Sequence, residues 1–505
     1  MTASTTAIKQ FAKTQPDLPA VLANGQSISY KELWRDVVFM STKITAQTEC
    51  QEGLAVVRMK DDYAQFVTVM AAHLAGLATM SLNAMRPFDK LEQRLDVKFH
   101  ITDGDRPETK PRKFKKISVK LELPTPEEAQ DLRLDMDCQI AQDSLIHIKI
   151  TSGTTGEPKL IPLTRRQFEH WIGCYHRVVP HTRRARYLAV SGATQGLGLS
   201  RGMAAWIQGD LVIIEKRLNV FEAIALHHPD ELVATPIFLY QFLRSAPEQY
   251  RPLNNPQIQI ASGKLSTKLY KRAQERFQGD IICSYGMSER GTIGYSYGLE
   301  PGAEWVDKYR AVPWAEVEVV DANDLPVPMG TPGFVRVRVE NMPTAYADDS
   351  EAAVNGMRDG WYYTRDNGTM FEGGVLQIEG RESELINLSG MKLYHPKIED
   401  DLQHINNVDD AAVFSAPNED GIEELCIAIV CDERNRNPVG QAVNAYLRKE
   451  LTNIDGKHVV FLRSIPRNDS GKVMRRDLVD IFNRIRLAQQ QQPAQRGGRP
   501  QIGRR

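Results

Sequence analysis

Between Thr151 and Lys159 the chain reads TSGTTGEPK, a stretch with two glycines, four hydroxyl side chains and one lysine in nine residues. Backbone N–H groups at Gly153 and Gly156, the hydroxyls of Thr151, Ser152, Thr154 and Thr155 and the Lys159 ammonium could together wrap a polyphosphate. A Walker loop has four residues between its glycines and ends Gly-Lys-Ser/Thr. Here two residues separate the glycines and Lys159 follows Pro158, so this is a different phosphate loop. A polar turn between a strand and a helix is the plain alternative.

Four later stretches carry groups suited to a nucleotide. In CSYGMSE, from Cys283 to Glu289, the Tyr285 ring can stack on a base, Ser288 can donate to a phosphate and Glu289 can hold Mg²⁺ through an oxygen; a strand end with an ordinary surface glutamate reads equally well. In GWYYTRD, from Gly360, the Asp366 carboxylate suits a diol because each oxygen takes one donor. GRESELINLSGMK from Gly380 and PRNDSGK from Pro466 add Arg381 and Lys472. A lone Gly-Lys pair means nothing by itself; its order behind the other motifs gives it weight.

These groups need elements to hold them. Ile146, Ile148 and Ile150 alternate with His147 and Lys149, the period of a half-buried strand that runs into the loop. Thr164 and Gln167 fit a capping box opening a helix. Ser29–Leu33 begins another helix, and Leu54–Arg58, a helix carrying Phe66 to Leu74, and Leu77–Leu82 form a βαβ unit. Arg106 to Lys116 reads as a surface loop. Further strands start at Leu188, Leu211, Glu231, Ile258 and Asp280 and alternate with helices, one of them near Met203 to Gln208. That alternation predicts parallel sheets covered by helices. From Val317 short alternating runs predict antiparallel hairpins. From about Glu384 a compact α+β pattern begins, with Pro396 opening a helix; His395 before it reads as structural.

The fold class is therefore α/β. A large N-terminal domain spans 1–382, with a β-rich subdomain at about 310–380; a small α+β domain spans 383–486 and a disordered tail 487–505. A chain of 505 residues exceeds one core. Hydrophobic content of 42%, charged content of 25% and a formal charge of -1 give no electrostatic argument for nucleic acid or an anionic membrane. The six cysteines are scattered without metal-ligand spacing, which suits a reducing cytoplasm. No signal peptide or membrane span is expected.

In order, TSGTTGEPK, YGMSE, GWYYTRD, the segment from Gly380 to Lys392 and PRNDSGK resemble the signature motifs of the adenylate-forming superfamily: acyl- and aryl-CoA synthetases, peptide-synthetase adenylation domains and luciferase. The resemblance covers residues 20 to 485. It implies that ATP and Mg²⁺ convert a small carboxylic acid to an acyl-adenylate, and that a phosphopantetheine thiol of CoA or of an acyl or peptidyl carrier protein then takes the acyl group. It also implies a mobile small domain. By the motif match Lys159, Glu289 and Lys472 are catalytic, with Glu289 on the metal. Thr151 to Gly156, Tyr285, Gly286, Ser288, Asp366 and Arg381 bind nucleotide, Ser383 is the hinge and Gly390 lets the pantetheine pass. Three departures stand out: Ser288 for threonine, Arg365 for the usual glycine, and Ser383 for the usual Asp or Lys.

For the acid, amino-acid-activating relatives place an aspartate where Gly196 stands, and an unpaired substrate ammonium would be costly. Gln195 occupies a position where many CoA ligases carry histidine or an aromatic, and Gly263 is grouped with these two as substrate-binding. An aryl or acyl acid is favoured. Amino-acid adenylation for a carrier protein and a silent nucleotide-binding relative, suggested by Arg365 and Ser383, are the other readings.

Overall fold

The computed structural model describes residues 1–49, 52–83, 94–103, 115–118, 128, 132–151, 159–178, 184–296, 306–341, 343, 347, 356–381, 385–388, 391–418, 421–451, 456–468 and 473–490. The chain divides into two compact units, Met1–Glu379 and Gly380–Arg505.

In the first unit a six-stranded sheet runs in the order Lys115–Ser118, Val97–Thr102, Leu54–Arg58, Ala78–Ser81, Leu145–Thr151, Lys159–Thr164. Leu54–Arg58 and Ala78–Ser81 pair in parallel with the Asp62–Leu74 helix between them, the expected βαβ unit. Both strands are buried throughout, as in a sheet with both faces covered. One reading needs correction: Lys115 and Lys116 lie in a strand rather than a surface loop. Lys159–Thr164 first returns antiparallel to Leu145–Thr151, with Ile161 opposite Lys149. The capping box follows: Thr164 N–H donates to Gln167 Oε1 at 2.9 Å and Gln167 N–H to Thr164 Oγ1 at 3.4 Å, opening the Arg165–Val178 helix.

The second sheet is parallel through Leu211–Ile214, Arg186–Leu188, Glu231–Ala234, Gln257–Ile260 and Ile281–Met287. It turns antiparallel at Gly291–Tyr295, earlier than the change of texture at Val317 suggests, and continues through Lys308–Ala311, Val375–Arg381, Trp361–Phe371, Pro332–Val339 and Ala315–Val320. The hairpin Pro19–Ala23 and Gln26–Ser29 extends its other edge. The Tyr30–Thr48 helix follows directly, its capping box closed by Ser29 N–H to Glu32 Oε2 at 2.8 Å and Glu32 N–H to Ser29 Oγ at 3.2 Å. The largest apolar cluster joins strand residues Val57, Ile161 and Val212 through helix residues Val37, Phe66, Phe168 and Trp206. The Gly196–Ile207 helix starts well before Met203, with Gln195 as its N-cap residue.

The second unit holds a hairpin, Leu385–Leu388 with Met391–Tyr394, and a three-stranded sheet of Asp410–Pro417, Glu423–Val430 and Lys457–Phe461. Helices His395–Gln403 and Arg436–Glu450 contribute Leu402 and Val443 to a core with Val413 and Ile427. His395 is buried, with Nδ1 2.8 Å from Arg475 Nη2, a structural arrangement. The last helix, Arg475–Gln490, includes residues 487–490 of the expected tail; 491–505 lie outside the described residues.

Candidate active site

Ile281–Met287 and Gly291–Tyr295 form a hairpin whose three-residue tip is Ser288, Glu289 and Arg290. Gly291 closes it at φ +70°, the left-handed conformation that this loop length requires. A Cβ on Gly286 would lie 2.5 Å from the Gly291 carbonyl oxygen, so only glycine lets the two strands approach. The YGMSE motif is therefore still strand through Met287, and Glu289 sits on a short, fixed turn.

Three cations hold that turn. Lys159, first residue of the return strand, pairs with Glu289 Oε1 at 3.0 Å. Lys149 donates to the Ser288 carbonyl at 2.5 Å. Arg290 donates to the Pro343 carbonyl at 2.7 Å. Glu289 itself is buried. A carboxylate there, held opposite a lysine, is a hard oxygen donor suited to Mg²⁺, which usually takes one or two protein carboxylates and leaves its other positions to phosphates and water. Among the described residues no group of three or more His, Cys, Asp or Glu is placed to hold a metal ion.

The Trp361–Phe371 strand contributes Asp366. Tyr363 pairs with Arg336 and Asn367 with Phe334, so Thr364, Arg365 and Asp366 bulge opposite Val335. Thr364 Oγ1 fixes the bulge by donating to the Val335 carbonyl at 2.9 Å and accepting from Asp366 N–H at 3.0 Å. Arg365 takes φ +61°, the conformation for which glycine is usual. The bulge aims the buried Asp366 carboxylate at Tyr285, whose hydroxyl donates to Oδ2 at 2.5 Å. The Tyr285 ring lies beside Tyr309, centroids 5.5 Å apart.

Thus Lys159, Tyr285, Gly286, Ser288, Glu289 and Asp366 converge, although they come from three separate stretches. Thr151 ends the Leu145–Thr151 strand, whereas Ser152, Gly153, Thr154, Thr155 and Gly156 lie outside the described residues. So do Ser383, Gly390 and Lys472. Arg381 ends its strand and belongs to the second unit. Gln195 makes no side-chain cap bond. A Cβ at Gly196 would meet the Trp171 ring at 3.5 Å, and one at Gly263 would meet Pro236 at 3.3 Å. A cavity of about 660 Å³, lined by Val190, Lys216, Phe238 and Arg244 among others, includes none of these three positions.

Sequence periodicity missed Lys149 and Trp171. Alternation puts Lys149 on a solvated face, yet it is 6% exposed and its ammonium lies 4.3 Å from the Trp171 ring centre. Burial pushes its pKa down to about 8, against the pull of Glu289. The available signal was a charge in a strand otherwise rich in isoleucine.

The family model for AMP-binding enzymes matches residues 8–347 and the model for their C-terminal domain matches 397–472. The chain belongs to the AMP-binding enzymes, the adenylate-forming superfamily, and its class is acid–thiol ligase. It is 26% identical to a 3-hydroxybenzoate/4-hydroxybenzoate CoA ligase of Thauera aromatica, over 68% of each chain. It is 24% identical to the vibriobactin-specific 2,3-dihydroxybenzoate-AMP ligase of Vibrio cholerae, over 70% of this chain and 67% of that one. The fold is that of ATP-bound MatB from Rhodopseudomonas palustris, with TM-score 0.79, 20% identity and coverage of 96% and 100%. It is also that of the o-succinylbenzoate CoA synthetase of Bacillus subtilis, with TM-score 0.77, 20% identity and coverage of 94% and 97%. No described helix is long and apolar enough to cross a membrane.

Proposed function

We propose that this enzyme activates an aryl or acyl carboxylic acid with ATP and Mg²⁺ and passes the acyl group to the phosphopantetheine thiol of CoA or of a separate carrier protein. The observation that carries the reading is the pair of contacts Lys159–Glu289 and Tyr285–Asp366, which join three nucleotide-type motifs into one site.

A carboxylate is a poor electrophile because its leaving group would be oxide. Its oxygen attacks the α-phosphorus of ATP, the bond to the β-phosphate oxygen breaks and pyrophosphate departs, leaving a mixed anhydride. The thiol then attacks the acyl carbon and AMP leaves. The first step needs alignment and charge neutralisation more than covalent help. Lys159 and Lys472 supply cations, Asp366 accepts from the ribose, and Glu289 would hold Mg²⁺, which when bound neutralises phosphoryl charge. On the motif match Arg381 contacts the nucleotide, Ser383 is the hinge and Gly390 admits the pantetheine. Gly196 offers no carboxylate for a substrate ammonium, and several relatives are named for aryl acids, both of which favour an acid without an α-amino group.

The test is acid-dependent pyrophosphate exchange with benzoate-like, fatty and amino acids, followed by CoA against a carrier protein as acceptor. Exchange is expected with an aryl or acyl acid and to vanish in Lys472→Ala; near-normal exchange in that variant refutes the assignment.

A further inference from the structure

Lys149 and Lys159 meet the same hairpin tip in different ways. Lys159 is bound to the Glu289 carboxylate and its side chain is 30% exposed. Lys149 is buried against Trp171 and bound to the backbone, at the Ser288 carbonyl. In this structure Lys159 thus sits on an oxygen that a metal at Glu289 would take. Mg²⁺ entering with the nucleotide would compete with Lys159 for the Glu289 carboxylate, and the phosphates are natural acceptors for the ammonium it displaces. Once Lys159 leaves, Lys149 beneath the tip and Arg290 to its side still hold it, together with the turn's own bond from Arg290 N–H to the Met287 carbonyl.

We propose that Lys149 is a positioning residue for adenylation: its hydrogen bond to the Ser288 carbonyl keeps Glu289 aimed at the metal while Lys159 exchanges from carboxylate to phosphate. The inference rests on the acid-activation reading above. Two features suit Lys149 to the part. Its stem is packed, so the ammonium has little freedom to follow the nucleotide. It binds a carbonyl rather than the carboxylate, so it does not compete for the metal's ligand. Groups that orient a metal ligand in this way typically matter by about 10- to 100-fold in metal affinity or activity.

The test compares the wild type with Lys149→Met, which keeps an apolar stem against Trp171 but ends one atom short and lacks the donor, and with Lys149→Arg, which keeps a donor. ATP binding is measured across a Mg²⁺ titration and needs no acid; pyrophosphate exchange is measured in parallel. Lys149→Met should need about 10-fold more Mg²⁺ for half-maximal ATP binding and lose about 10- to 100-fold in exchange kcat. Its KM for the acid and its ATP affinity in EDTA should stay within about 2-fold, since the proposed effect acts through the metal ligand. Lys149→Arg should keep the wild-type Mg²⁺ requirement. An unchanged Mg²⁺ requirement in the Met variant overturns the proposal. So does a lower one, which would mean that Lys149 only repels the metal, and so does an Arg variant as impaired as Met. Should Lys149→Met fail to fold, Lys149→Leu takes its place under the same criteria. A wild type without acid-dependent exchange would instead sink the activation reading and leave the ATP-binding comparison intact.

Discussion

The hydroxyl of Tyr285 donates to Asp366 Oδ2 at 2.5 Å across 81 residues of sequence, and both groups are buried. A buried carboxylate deprived of a donor loses stability, by about 1.5–3 kcal/mol for a hydrogen bond to a charged group. If Asp366 accepts from the ribose, bound ATP offers it replacement donors. Tyr285→Phe should therefore lower the melting temperature, and saturating ATP should raise it by more in the variant than in the wild type. A smaller ATP-induced rise in the variant would count against Asp366 as the ribose acceptor.

The Lys159–Glu289 pair gives a second prediction. Glu289→Gln keeps the side chain's size but removes the anionic oxygen proposed for Mg²⁺. Loss of one preorganised charge-stabilising group typically costs about 10²- to 10³-fold in rate. Exchange should fall by that amount, whereas ATP affinity measured in EDTA should change by less than about 3-fold, since the charge lost there faces Lys159 and not the nucleotide. Equal losses in both measurements would place Glu289 in nucleotide binding and not on the metal.

These two contacts mark where the sequence could be read and where it could not. The parallel half of the fold is visible because strands such as Leu54–Arg58 are apolar on both faces and alternate with helices bearing clear caps, as at Ser29 and Glu32. The return strand Lys159–Thr164 is harder to see because Pro162 argues against a central strand. It lies at the sheet's edge, where proline is tolerated. Lys149 was hidden for another reason. Period-two reasoning assigns one face of a strand to solvent, but here the opposite face is covered by the Arg165–Val178 helix and by a hairpin tip 139 residues later. Local pattern carries no information about such a partner.

Arg365 gives a prediction about stability. Its φ of +61° costs a residue with a Cβ about 1–2 kcal/mol, and glycine avoids that cost at an entropic penalty of about 0.5–1 kcal/mol. Arg365→Gly should therefore stabilise the protein by about 0.5–1 kcal/mol. Arg365→Ala, which keeps the Cβ, should not. Thermal midpoints of the two variants check this; a gain in alanine as large as in glycine would show that the arginine side chain, not its backbone, is the source of strain.

The last prediction concerns acid. His73 Nε2 and His147 Nδ1 each lie 2.8 Å from the single hydroxyl of Thr79, in the core of the first unit. One hydroxyl can donate to one ring and accept from the other, so at least one of the two facing ring nitrogens must be unprotonated. Protonating both facing nitrogens would leave the hydroxyl hydrogen without an acceptor. Burial lowers the His73 pKa to about 3; burial, with His73 and Lys149 nearby, holds His147 well below the usual histidine range. In the unfolded chain both rings take up protons as the pH falls through about 6.5, while the native rings do not, so the unfolded state binds more protons and stability falls with pH. The contribution is complete above that value and is lost progressively toward about 3 for His73. Between pH 6.5 and 5 each such ring should cost the native state about 2 kcal/mol. His73→Phe, facing the Phe168 ring that already lies 5.3 Å away, removes one titrating group while Thr79 keeps its bond to His147. Melting temperatures from pH 7.5 to 5 should fall less steeply in this variant than in the wild type. Parallel slopes would show that the acid sensitivity resides elsewhere.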